Sequence, residues 1–78
     1  MTKDELLALL TNAKMVVVSV LGKTFNIKSW SNGSYSIEDK SKSSFFTFDS
    51  AYDLVEKYMV MNMSFESLTP WMNVTNVA

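Results

Sequence analysis

Apolar residues recur at every second position in four separate stretches of this chain. Val16, Val18 and Val20 form the first set, Phe25 and Ile27 the second, Tyr35 and Ile37 the third, Phe46 and Phe48 the fourth. The only two glycines, Gly22 and Gly33, separate the first three sets. A period of two marks strands with one buried face, and glycine between such stretches marks turns. An antiparallel sheet covered on one side satisfies both signals.

The turns set the expected register. Gly22-Lys23 suits a two-residue type II′ turn, because glycine comes first. It pairs Leu21 with Thr24, Val20 with Phe25, Val18 with Ile27 and Val16 with Ser29. Asn32-Gly33 is open to two readings. A two-residue type I′ turn pairs Trp30 with Tyr35 and puts Ile37 on the face opposite Ile27. A three-residue loop of Ser31, Asn32 and left-handed Gly33 pairs Ser29 with Tyr35 and Ile27 with Ile37. It keeps the apolar set on one side and is preferred. Continuing the meander, Ile37 opposes Phe46 and Tyr35 opposes Phe48.

Helices flank these strands. Thr2, with Glu5 three residues on, predicts a capping box for a helix over Lys3 to Ala13. Its stripe is Leu6, Leu9, Leu10 and Ala13, widened by Leu7. Asp49 or Ser50 caps a second helix with Ala51, Leu54, Val55, Tyr58, Met59 and Met61 at its apolar positions. Asn62 is its left-handed stop. Ser64 caps a short turn through Leu68, Pro70 blocks extension, and Asn73 to Ala78 frays. The methionines Met59, Met61, Met63 and Met72 fill the core, and Phe65 and Trp71 fold back over the helices. The expected fold is α+β: a single domain over residues 1–78 with a four-stranded antiparallel meander in order 1-2-3-4, and an N-terminal and a C-terminal helix packed on one face.

The chain has no His, Cys, Arg or Gln. No Ser-His pair, thiolate nucleophile or zinc site of the usual kind is available. No bidentate arginine clamp is available either. Asp49, Asp53 and Glu56 lie along one helix but lack EF-hand spacing, and capping accounts for the first two. The expectation is no enzyme, no metal and no cofactor. Seven lysines against eight acids give a net charge of −1, which supplies no field for nucleic acid or an anionic membrane. The start of the chain (Thr2, Lys3, Asp4, Glu5) lacks the pattern of a signal peptide. The longest apolar run, Met15 to Leu21, falls far short of the ~20 residues of a membrane span. A cytoplasmic protein without membrane contact is expected.

Chemistry being absent, surfaces carry the functional expectation. The assumed register places Met15 opposite Trp30, Val17 opposite Lys28 and Phe45 opposite Glu38 on the outer sheet face. The remaining members of that face are polar. Trp is enriched at binding hot spots, so Trp30, Met15, Val17, Lys28 and Phe45 form the candidate partner site. The competing reading is that these are ordinary cross-strand stabilising pairs. The methionine stretch is a second candidate surface, since Met lines adaptable grooves. Lys23, Lys28, Lys40 and Lys42 beside Trp30 admit a single-stranded nucleic acid, against the net charge.

The order helix, four-stranded meander, helix resembles small accessory proteins of phages and mobile elements, of which the anti-CRISPR group is the best known. The resemblance extends to the lysine-only basic set and to the segment FFTFDSAYDLVEKYMVMNM, an aromatic strand followed by an Asp cap and an acidic amphipathic helix. It implies a stoichiometric inhibitor that occludes a larger protein target. The leading expectation is therefore a non-enzymatic protein-binding module. The alternatives are a self-associating protein, a homodimer through the outer face or an edge strand, and a weak single-stranded nucleic-acid binder.

Overall fold

The computed structural model describes residues 1–78. Helix α1 (Lys3–Asn12) begins as the capping box requires. The Glu5 amide donates to the Thr2 hydroxyl at 3.2 Å, and the Thr2 amide donates to the Glu5 carboxylate at 2.8 Å. Two donors that a helix start leaves free are thereby satisfied. Strands β1 (Met15–Val20), β2 (Lys23–Ser29), β3 (Tyr35–Asp39) and β4 (Ser44–Phe48) follow. Next come α2 (Ala51–Lys57), a small hairpin of β5 (Met59–Val60) and β6 (Met63–Ser64), a 3₁₀ helix (Glu66–Trp71) and β7 (Asn73–Val77).

The expected α+β class holds, but the sheet has five strands, in order β4-β3-β2-β1-β7. The meander is present, and a further antiparallel strand lies outside β1. The tail expected to fray is thus fixed. Ala78 donates to the Met15 carbonyl at 2.9 Å, and its own carbonyl accepts from Lys14 at 2.9 Å and Met15 at 3.3 Å. Only Val74 of β7 packs against the core. Backbone pairing, which leaves little trace in side-chain pattern, holds this strand in place.

Helix α1 lies over β1 and β2, and α2 over β3 and β4. Between them Val16, Val18, Val20, Phe25, Ile27 and Ile37 are buried, as the alternation predicts, with Leu6, Leu10, Leu54, Val55, Phe65 and Met72. Phe25, Tyr58 and Phe65 meet edge-to-face, with centroids 5.9, 5.6 and 5.7 Å apart. Such pairs add to simple area burial. The Lys3 ammonium joins the start of α1 to Glu56 at 3.4 Å and Glu66 at 3.0 Å. No helix is long and apolar enough to cross a membrane.

The second hairpin follows the preferred register. Ser29 pairs with Tyr35 and Ile27 with Ile37, and Gly33 has φ +88. The β3–β4 pairs Ile37–Phe46 and Tyr35–Phe48 also match expectation. The first hairpin does not. Leu21 and Gly22 are its central residues, with φ 54 and 70, and Val20 pairs with Lys23, Val18 with Phe25 and Val16 with Ile27. This is a type I′ geometry, with glycine second. A two-residue slide keeps every side chain on its face, so alternation cannot distinguish the registers. The observed one brings the Lys23 ammonium within 3.9 Å of Asp39.

The second helix ends early, at Lys57. Met59 to Ser64 forms the β5–β6 hairpin instead, turning at Met61 and Asn62 with φ 51 and 66. Asn62 is left-handed as expected, but in a hairpin. Met59, Met61 and Met63 are exposed, not core, and only Met72 is buried. Phe65 is buried as expected, whereas Trp71 stands out in solvent. Pro70 lies within the 3₁₀ helix instead of stopping it. Phe46 faces the helix side as expected but remains 53% exposed. It sits on the edge strand, and the short α2 ends before covering it.

Candidate functional site

The outer sheet face carries no covering layer, and its residues follow from the observed register. Met15, Lys28, Ser36 and Thr47 form one row across β1 to β4; Val17, Asn26, Glu38 and Phe45 form the next. Met15 thus faces Lys28 and Val17 faces Asn26. The pairs Met15–Trp30 and Val17–Lys28 do not form, because the first turn sits one residue earlier and slides the β1–β2 register by two. Phe45 does face Glu38. Met15 and Val17 are half-buried by their neighbours, and Lys28 is exposed.

Trp30 belongs to this face in a way the sequence did not show. Its indole N–H donates to the Ser36 hydroxyl at 2.9 Å, and Ser36 is buried although it faces away from the helices. The indole is therefore a lid on the outer face, half covered and half free. The turn fixes its origin: Trp30 donates to Ser34 at 2.9 Å and accepts from Gly33 at 3.0 Å. Trp30, Ser34, Phe45 and Thr47 line a shallow groove of about 370 Å³ that contains no charged residue. Of the five expected site residues, Trp30 and Phe45 come together there. Met15, Val17 and Lys28 lie outside it. Within Phe45's row, Asn26 Oδ1 is buried without a hydrogen-bond donor.

A larger cleft of about 500 Å³ opens on the helix side of β4. Ser44, Phe46 and Phe48 form its sheet wall, and Tyr58, Met59 and Met61 form the opposite one. Tyr58 stacks near Phe46 at 5.8 Å and Phe48 at 6.3 Å. Lys23, Lys42 and Lys57 stand around it against one acid, Asp39. Burial pushes the Asp39 carboxyl up, but the Ser41 hydroxyl and amide, with Lys23 and Lys42, hold it below the ordinary carboxylate range. The two Ser41 bonds are 2.7 and 3.0 Å long. Burial, then the nearby Asp39 charge, holds the Tyr58 hydroxyl above its usual value.

The cleft was not found from sequence. Its one sequence trace is Asp39 followed two residues later by Ser41, an Asx-turn signal. Of the methionine stretch, Met59 and Met61 line this cleft. Of the acids on α2, Asp53 lies 3.6 Å from Lys57 at the cleft's rim and Glu56 pairs with Lys3 away from it. No group of three acidic side chains stands close enough to hold a metal ion.

Every residue of β4 lines one of these two concavities. Ser44, Phe46 and Phe48 face the cleft, and Phe45 and Thr47 the groove. The strand is an edge of the sheet, so its outward backbone groups have no ladder partner. What the arrangement offers chemically is apolar area, backbone hydrogen bonds and lysine charge. No family model matches the chain, and no curated protein or solved structure matches it either.

Proposed function

We propose that this chain is a non-enzymatic, cytoplasmic protein-binding module that holds a larger protein through β4 and the groove beside it. One observation carries the reading. Phe45 and Phe46 are 58% and 53% exposed on opposite faces of an edge strand, beside a half-exposed Trp30. Large aromatics gathered at one sheet edge are what hot spots are made of, and single exposed apolar residues are not. Binding acts by occlusion, one chain per target. Inhibition of a host factor by a phage or mobile-element protein is the setting that the sequence resemblance suggests.

Phe45→Ser tests this. Phe45 is exposed on the outer face, so the variant melts within a few degrees of wild type. A protein recovered from the source cells by the immobilised wild-type chain, as a one-to-one complex, is recovered at least about tenfold less by the variant, since hot spots contribute ~2 kcal/mol or more. Equal recovery by both chains refutes the proposal.

A further inference from the structure

We infer that β4 takes up an extended segment of a partner protein as a sixth strand, and that this segment carries acidic side chains at alternate positions. The inference rests on the protein-binding reading and supplies its mode and chemistry.

Free edge strands are ordinarily guarded by lysine, proline or a bulge. The β4 segment, Ser-Phe-Phe-Thr-Phe, has no lysine or proline, and its pairing with β3 has no bulge. A strand laid along this edge repeats its period of two. Its side chains alternate between the helix-side cleft and the outer groove. The two concavities differ in charge. The cleft offers Lys42, which has no acidic partner, with Lys23 and Lys57, which lie 3.9 Å from Asp39 and 3.6 Å from Asp53, and the groove offers Trp30 and Phe45 among neutral residues. Complementarity then asks for acid toward the cleft and an apolar side chain toward the groove, in strict alternation.

A second copy of this chain is a poorer occupant. Antiparallel β4–β4 pairing sets both lysine-bearing clefts side by side on one face of the joined sheet, where like charges repel. No segment of this chain alternates acids with apolar residues. The charge balance points to a different protein.

The experiment titrates the full chain with Val-Asp-Val-Asp-Val-Asp-Val, followed through backbone amide NMR signals. Four comparison probes are used: a block isomer, Val-Lys-Val-Lys-Val-Lys-Val, and the first peptide N-methylated at alternate residues in each of the two phases. The alternating acidic peptide should shift the β4 amides and slow their hydrogen exchange. It should bind at least about fivefold tighter than the block isomer and the lysine peptide, the scale of one or two exposed charge pairs. One N-methylation phase should abolish binding, because it removes the N–H groups that face β4. Lys42→Glu with Lys57→Glu, both at the surface, should weaken binding about tenfold while leaving the melting temperature within a few degrees.

Equal binding of the alternating and block peptides, or full binding in both N-methylated phases, overturns the inference. If Phe45-dependent capture persists in that case, the protein-binding reading survives and only the strand-addition mode falls. Oligothymidylate that outbinds the peptide at the same β4 amides overturns it in favour of nucleic acid. A concentration-dependent dimer with protected β4 amides overturns it in favour of a second copy.

Discussion

Trp30→Ala asks whether the outer sheet face is a bare surface or a thin second core. Trp30 is 49% exposed, so about half of the indole is covered. A buried aromatic removes ~150–250 Å² from water, which makes the covered half of Trp30 worth roughly 100 Å². At ~25 cal/mol per Å² that burial contributes about 2.5 kcal/mol. The bond from the indole N–H to Ser36 contributes about 1 kcal/mol, part of which returns when water reaches the serine hydroxyl. The expected loss is therefore about 3 kcal/mol, or roughly 12–24 °C in melting temperature for a domain of this size.

Trp30→Phe separates the two contributions. It keeps most of the ring over Ser36 and loses the N–H, so it should cost only about 1 kcal/mol. Urea unfolding followed by circular dichroism is the assay, because Trp71 complicates fluorescence. A double-mutant cycle with Ser36→Ala should return a coupling of about 1 kcal/mol. A Trp30→Ala variant melting within ~2 °C of wild type would show that the indole stands free of the sheet. It would then be a pure binding anchor. The expected outcome makes it both lid and anchor, so loss of partner binding in Trp30→Ala must be read beside its lowered stability.

Two further outcomes follow from the backbone and from the buried carboxylate. Leu21→Asn should stabilise the chain by about 1 kcal/mol, because Leu21 sits at φ 54, where non-glycine residues are strained and Asn is tolerated. A lowered urea midpoint would restore the glycine-first turn, in which Leu21 is extended. For Asp39, the folded pKa lies below its ordinary 3.8, despite a burial contribution that raises it. The stability it supplies is present above 3.8 and is lost as pH falls through the folded value. The gap in melting temperature between wild type and Asp39→Asn should therefore be widest near neutrality and close in acid. A gap unchanged down to about pH 2 would show that the charge of Asp39 contributes nothing to stability.

Alternation made the inner face legible from sequence, and turn chemistry made the second hairpin legible. The same period of two hid the register of the first hairpin, since sliding β1 against β2 by two residues moves no side chain between faces. Strand β7 was invisible for a different reason. One of its side chains reaches the core, and backbone bonds to Lys14 and Met15 tie down its end. The β5–β6 hairpin has a visible signal in competition with another. Met59, Met61 and Met63 are two apart, the spacing of a strand, but they also continue the helical run of Ala51, Leu54 and Val55. In the candidate site, Trp30 and Phe45 were legible as exposed aromatics. The cleft was not, because Lys23, Asp39, Lys42 and Lys57 come from separate segments that only the fold brings together.

The placement of lysine gives so apolar an edge a physical means of disfavouring a second copy of the chain. Seven lysines serve this chain, and none lies on β4. Three stand instead around the cleft that flanks it. Charge on the strand itself would block every incoming strand alike. Charge beside the strand discriminates, because it repels a symmetric copy that carries the same lysines and attracts a segment that carries acids. The same three residues can thus guard the edge and select its occupant. Under the proposed strand addition, aromatic area on both faces of β4 would supply the affinity that exposed ion pairs alone do not.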